Sequence, residues 1–149
     1  MEKAEQIILT NMCMVQDGSK VLVEDKVCQW ACGITFPGGH VEEHEPIVDS
    51  VIREIREETG LTIENPHLGG IKEWIKEDGS RYMVFLFRAD RFSGVLTSSE
   101  EGRVFWLEKD EVLKSNWIWH MDSLMRIMAD GAFSELYLDV QEDWKAVLK

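Results

Sequence analysis

Cysteine, proline and positive charge are all scarce in this chain of 149 residues, and each scarcity closes off a class of protein. Three cysteines, Cys13, Cys28 and Cys32, cannot all pair within one chain, and the last two are not spaced as CxxC. A disulfide framework is excluded, and free thiols in a reducing cytosol are the expected state. With three prolines and no Pro/Ser-rich tract, low-complexity stretch or internal repeat, nothing reads as a linker. The length suits one compact domain over residues 1–149. No apolar run approaches membrane-spanning length, and the start Met-Glu-Lys-Ala-Glu-Gln lacks the basic opening and apolar centre of a signal peptide. The expected location is cytoplasmic, with no membrane partner. Lysine and arginine number 16 against 28 aspartates and glutamates, a net charge of −12. No basic stripe is present to hold a nucleic-acid polymer. If such a chain handles phosphates, a metal ion must supply much of the missing positive charge.

What is present is ordinary for a globular protein, 44% apolar and 30% charged residues. Ile7 to Val15 is dense in strand formers, and Asp17-Gly18 then turns the chain into Val21-Leu22-Val23, which predicts a hairpin. Ile34-Thr35-Phe36 reads as a short strand stopped by Pro37-Gly38-Gly39. A helix follows, with Pro46 in its first turn, Glu45 at the positive end of its dipole and Gly60 at its end. Val48, Val51, Ile52 and Ile55 have helical spacing and are expected to face the core. Ile71–Ile75 and Tyr82–Phe87 flank Asp78-Gly79-Ser80 as a second hairpin, and Val104–Leu107 is a further strand. Met121, Leu124, Met125 and Met128 predict a second helix before Gly131, and Ser134–Val140 a last strand, with the tail from Gln141 unassigned. Hairpins interrupted by helices predict an α+β or mixed-sheet α/β domain with helices covering the sheet.

The chemistry is concentrated between Gly38 and Leu61. Glu54, Glu57 and Glu58 fall at i, i+3 and i+4, so their carboxylates share one helix face beside the apolar stripe. Read alone, these three are a solvated acidic face relieved by Arg53 and Arg56, or a set of hard oxygen donors of the kind Mg²⁺ or Mn²⁺ prefers. The preceding Gly38-Gly39 favours the second reading, because two glycines let a loop adopt unusual backbone angles and bring its amides and carbonyls close to a ligand or metal.

This segment resembles the Nudix box of the Nudix hydrolase family, GX5EX7REUXEEXGU with U a bulky aliphatic residue. Gly39, Glu45, Arg53, Glu54, Ile55, Glu57, Glu58, Gly60 and Leu61 fill all nine specified positions without a gap. The resemblance implies an α/β/α sandwich on a mixed β-sheet and divalent-metal-dependent hydrolysis of a nucleoside diphosphate linked to another moiety. By position, Glu54, Glu57 and Glu58 are implied as the metal ligands, with the Gly38 carbonyl as an added donor. Arg53 is similar to the family arginine that orients box carboxylates, and Glu45 is implied as a supporting residue. The implied metals, Mg²⁺ with Mn²⁺ as the alternative, would neutralise phosphate charge, orient the anhydride and lower the pKa of an attacking water. Glu54 is the expected base for that water.

Outside the box, members similar to the MutT branch carry a further acidic residue near Ser98–Gly102, for which Glu101 is the first candidate and Glu100 the next; the alternative is a charged loop. Asn116 and Trp117, with Trp119, offer an amide and rings for a nucleobase, or alternatively a core or subunit contact. His40 and His44 both precede the helix, which makes a poor zinc pair. The proline common in ADP-ribose hydrolases about sixteen residues past the box is replaced here by Lys76, and the signature of coenzyme A hydrolases is absent. The remaining expectation is a MutT-like enzyme acting on nucleoside triphosphates, including oxidised ones such as 8-oxo-dGTP, as monomer or homodimer. The alternatives are hydrolysis of ADP-ribose or a dinucleotide, and a nucleotide-sensing module without catalysis. The retained glutamates favour an enzyme.

Overall fold

Period-two alternation along the first strand sets the architecture. In the computed structural model, which describes residues 1–27, 33–114 and 120–149, β1 runs Ile7–Asp17. Cys13 and Val15 project into one core, with Val51 and Ile55, while Met14 projects into another, with Leu124, Met125 and Met128. A sheet buried on both faces needs a helix on each. Those helices are α1, Ile47–Thr59, and α2, Met121–Met128.

The expected hairpin forms β1 with β2, Lys20–Lys26, through a turn at Gly18, whose φ of 60° is the left-handed conformation such turns require. After β3, Gly33–Thr35, and α1 come β4, Leu61–Ile63, and β5, His67–Ile75. The second expected hairpin joins β5 to β6, Arg81–Ala89. The chain continues through β7, Phe92–Gly94, β8, Gly102–Glu108, α2, β9, Glu135–Asp139, and β10, Lys145–Leu148. The order in the main sheet is β10-β9-β5-β6-β1-β2-β3, with β8 also on β2. β1–β6 and β5–β9 are parallel and the remaining pairs antiparallel, so the sheet is mixed, as expected. Among the described residues no helix is long and apolar enough to cross a membrane.

Three differences from the sequence expectations have physical causes. The tail beyond Gln141 contains β10, which pairs antiparallel with β9 and extends the sheet edge. The short strands β4 and β7 pair with each other, and their three-residue lengths hide any alternation. Val48, expected in the core, is 43% exposed; Ile47 takes its place against the α1-side core, because the buried arc of α1 is centred on Val51 and Ile55.

Candidate active site

Helix α1 begins after Pro46 and ends at Gly60, whose amide donates to the Arg56 carbonyl with φ at 77°. A side chain at Gly60 would collide with the Val95 carbonyl, so close approach and backbone angle both demand glycine. Between these ends the helix delivers Glu54, Glu57 and Glu58 to one side, but not to one environment. Glu58 is buried, the Glu54 side chain is 15% exposed and that of Glu57 58% exposed. The acidic face is therefore a gradient from the core to solvent.

Arg53 organises its outer half. Its guanidinium donates two hydrogen bonds to Glu45, Nε at 2.7 Å and a terminal nitrogen at 2.9 Å. The other terminal nitrogen donates to Glu54 at 2.9 Å and Glu57 at 3.1 Å, and the His40 carbonyl accepts a further bond at 3.0 Å. These bonds raise the arginine pKa above its ordinary value, led by Glu45, and the same pairing lowers Glu45. Such a fork fixes carboxylate geometry in a way a flexible ammonium does not. Arg53 thus ties Glu45, Glu54 and Glu57 together.

The inner half contains a residue that the motif does not. Glu24 of β2 is 1% exposed and faces α1, where its carboxyl group meets Glu58. Two carboxyl groups in hydrogen-bonding reach require a proton or a cation between them. Burial first, then Glu24, pushes Glu58 up to about 9, held back by the Gly38 amide, which donates to it at 3.1 Å. Burial also raises Glu24 and Glu54, the latter against the opposing pull of Arg53. Glu24 Oε1 has no hydrogen-bond partner among the described residues. A buried oxygen left unpaired is costly unless a cation or a proton completes it.

The Gly-Gly loop lies against this cluster, clamped by Asn11. The Asn11 side chain donates to Ser50 of α1 at 2.9 Å and accepts from the Gly39 amide at 3.2 Å, while its backbone amide donates to the Gly39 carbonyl at 2.8 Å. Neither Gly38 nor Gly39 uses a positive φ, so the expectation that backbone freedom explains them is corrected. Space is the reason. A Cβ on Gly38 would overlap the Asn11 carbonyl and Met12 Cα, and one on Gly39 would overlap the Glu54 carboxylate.

Glu101 lies just before β8, and the Val27 amide donates to its carbonyl at 2.9 Å. Its charge acts on Glu24 and Glu54, so the fold brings it to the rim of the cluster; Glu100 is exposed beside it. Asn116, Trp117 and Trp119, and likewise Cys28 and Cys32, lie outside the described residues. His44 is exposed and paired with Glu43 at 3.4 Å, apart from the cluster.

Among the described residues no three side chains already converge as a closed metal cage. The donor set nevertheless fits a hard divalent cation: it is all carboxylate, Glu24, Glu54 and Glu58 are pushed towards protonation by burial, and one buried oxygen of Glu24 has no hydrogen-bond partner among the described residues. Mg²⁺ seldom takes a complete protein cage, since water and phosphate fill much of its shell. Beside the loop opens a cavity of about 300 Å³, lined by Asn11, Gly38 and Gly39 and by Lys72, Trp74 and Tyr82.

Residues 8–127 match the family model described as the NUDIX domain. The chain is 40% identical over 107 residues to a protein of Bacillus subtilis (strain 168) called uncharacterized Nudix hydrolase YvcI, a match covering 67% of this chain and 65% of that one. It is 27% identical to the protein called phosphatase NudJ of Shigella boydii serotype 4 (strain Sb227), over 72% of each chain. Among solved structures it resembles a MutT protein from Bacillus halodurans, with a TM-score of 0.72, 29% identity and 94% of both chains covered.

Proposed function

Because the chain belongs to the Nudix hydrolase family, we propose that it hydrolyses nucleoside triphosphates, oxidised ones such as 8-oxo-dGTP among them, to nucleoside monophosphate and pyrophosphate. One observation carries this reading. A graded carboxylate cluster, Glu58 buried, Glu54 mostly covered and Glu57 exposed, opens beside a cavity of about 300 Å³. Glu54, Glu57 and Glu58 would hold the divalent cation, with the Gly38 carbonyl as a further donor and the unpaired oxygen of Glu24 behind them. Once bound, Mg²⁺ would supply the positive charge that phosphates need and that a chain of net −12 lacks.

The chain's own residues divide the remaining work. Arg53 is the positioning residue, its fork on Glu45 fixed while its other nitrogen orders Glu54 and Glu57. Glu54 is the proposed base: burial raises its proton affinity, which suits a carboxylate that must take a proton from an attacking water. Glu101 lends negative charge at the rim.

A panel of nucleotides with Mg²⁺, run in ¹⁸O-labelled water, tests the reading. Attack at the β-phosphorus puts label in pyrophosphate and none in the monophosphate. Label in the monophosphate would mean attack at the α-phosphorus, as for a diphosphate linked to another moiety. The relative named as a phosphatase favours a second reading, removal of a terminal phosphate. Release of inorganic phosphate alone would select it.

A further inference from the structure

The cavity beside the Gly-Gly loop has a polarity opposite to that of the chain. The protein carries −12 overall, yet among the described residues the cavity wall holds Lys26 and Lys72 and no aspartate or glutamate. Strand register explains the arrangement. Lys72 and Trp74 project from the same face of β5, opposite Val84 and Tyr82 of β6, and Thr10 of β1 continues the row beyond Val84. The Trp74 and Tyr82 rings stack at 4.3 Å, and the Lys72 ammonium lies 5.7 Å from the Trp74 ring centre. The aromatic pair is thus engaged by its own neighbours, and Lys72 has no hydrogen bond or ion pair among the described residues. Burial pushes its pKa down to about 8. The nearby His120 is lowered too, first by burial and then by Lys72 itself. Among the described residues, this part-buried cation faces aromatic rings and another basic group and meets no carboxylate or hydrogen-bond acceptor of the kind that normally stabilises it.

We propose that Lys72 is a substrate-binding residue whose ammonium takes an oxygen acceptor on the part of the substrate extending from the phosphoanhydride into this cavity. It sets affinity and selectivity without touching the reacting atoms. The inference rests on the nucleotide reading above and names the group that chooses among nucleotides. Two sources share the acceptor chemistry, a carbonyl oxygen of the base and an oxygen of a terminal phosphate.

The test has two parts. In the first, Lys72→Met is compared with wild type on 6-oxo and 6-amino purine nucleotides, each as diphosphate and triphosphate. KM should rise about 10–100-fold, the loss expected for one hydrogen bond to a charged group, with kcat within about twofold. Lys72→Arg should recover part of the loss. A KM rise confined to 6-oxo purines assigns the base carbonyl, and one confined to triphosphates assigns the terminal phosphate. In the second part, amine acylation of the wild type is followed residue by residue by mass spectrometry. Nucleotide with Mg²⁺ should protect Lys72 while leaving exposed Lys20 and Lys145 unchanged. An unaltered KM on every nucleotide, or a fall in kcat alone, overturns the assignment. Wild type that turns over none of the panel would instead refute the nucleotide reading. Labelling then still decides Lys72: unchanged modification with every nucleotide and with inorganic pyrophosphate rejects it.

Discussion

On one side of the Gly38-Gly39 loop the fold gathers Glu24, Glu54, Glu57 and Glu58; on the other it places part-buried Lys72 beside Trp74 and Tyr82 with no carboxylate in the described wall. Lys26 of β2 lies where the two regions meet: it lines the cavity, and against the burial that raises Glu24 and Glu58 its charge pulls both down. Elsewhere β2 separates two cores, with Leu22 towards the α1-side core and Val21 and Val23 towards the α2-side core. A phosphoanhydride substrate has matching halves, phosphates that need a cation and a remaining moiety that needs recognition. The contrast teaches that reaction and selection can be assigned to separate residues, so that each can be broken alone. Mutations on the carboxylate side should alter turnover or metal affinity, and those on the cavity side KM.

The largest effect is expected at Glu54. Glu54→Gln should lower kcat by about 10²–10⁴-fold, the usual contribution of a general base. The melting temperature should hold or rise, because burial disfavours the charged carboxylate and the amide still accepts from Arg53. Steady-state kinetics with Mg²⁺ decide, and near-wild-type kcat in a folded variant would move the base to another residue, Glu101 first.

The buried pair makes the stability of the metal-free chain depend on pH. Glu58 is raised from 4.5 to about 9, so the folded state keeps a proton that the unfolded chain releases. The stabilising contribution is complete below about 4.5 and is lost as pH rises through about 9. The slope is at most about 1.4 kcal/mol per pH unit for one proton. Calorimetry in EDTA should show the melting temperature falling from pH 5 to pH 9, and Glu58→Gln should flatten the fall. Mg²⁺ competes with the proton, so its stabilisation should grow with pH. A pH-independent wild type would mean that Glu24 and Glu58 do not share a proton.

Glu57 gives a smaller and cleaner effect. At 58% side-chain exposure it contributes little to packing, so Glu57→Gln should fold normally. Mn²⁺ affinity measured calorimetrically should fall by about 10–100-fold or more, since even groups that only orient a ligand cost that much. Unchanged affinity would remove Glu57 from the ligand set.

How much of this was legible follows from where each signal lies in the chain. The three box glutamates announce themselves because i, i+3, i+4 spacing and a contiguous motif are local. The two hairpins announce themselves through Asp17-Gly18 and Asp78-Gly79. Glu24 does not, because a glutamate after Val21-Leu22-Val23 reads as the polar end of a strand; only pairing with β8 and packing against α1 bury it. Asn11 is hidden similarly, inside a strand, with partners 28 and 39 residues away. Lys72 sits in a strand that was recognised, but no local pattern shows which face of β5 borders a cavity. Val48 failed for a related reason: spacing defines an apolar arc, and tertiary contact chooses its centre.

The finest division runs between two adjacent glycines, and the prediction there depends on what each missing side chain would strike. At Gly38 a Cβ meets backbone, the Asn11 carbonyl and Met12 Cα in the middle of a paired strand. Backbone cannot swing aside, so Gly38→Ala should destabilise the fold by about 1–3 kcal/mol, the range for overpacking. At Gly39 the Cβ meets the far end of the Glu54 side chain, which can rotate away. Gly39→Ala should therefore leave the melting temperature within a few degrees of wild type, yet lower kcat by displacing Glu54 from Arg53. Thermal melts and kcat measured on both variants give four numbers, with the larger stability loss expected at Gly38. A Gly39→Ala variant with full kcat would show that Glu54 tolerates displacement and would undermine its role as base. A Gly38→Ala variant as stable as wild type would show that the loop does not depend on its close approach to β1.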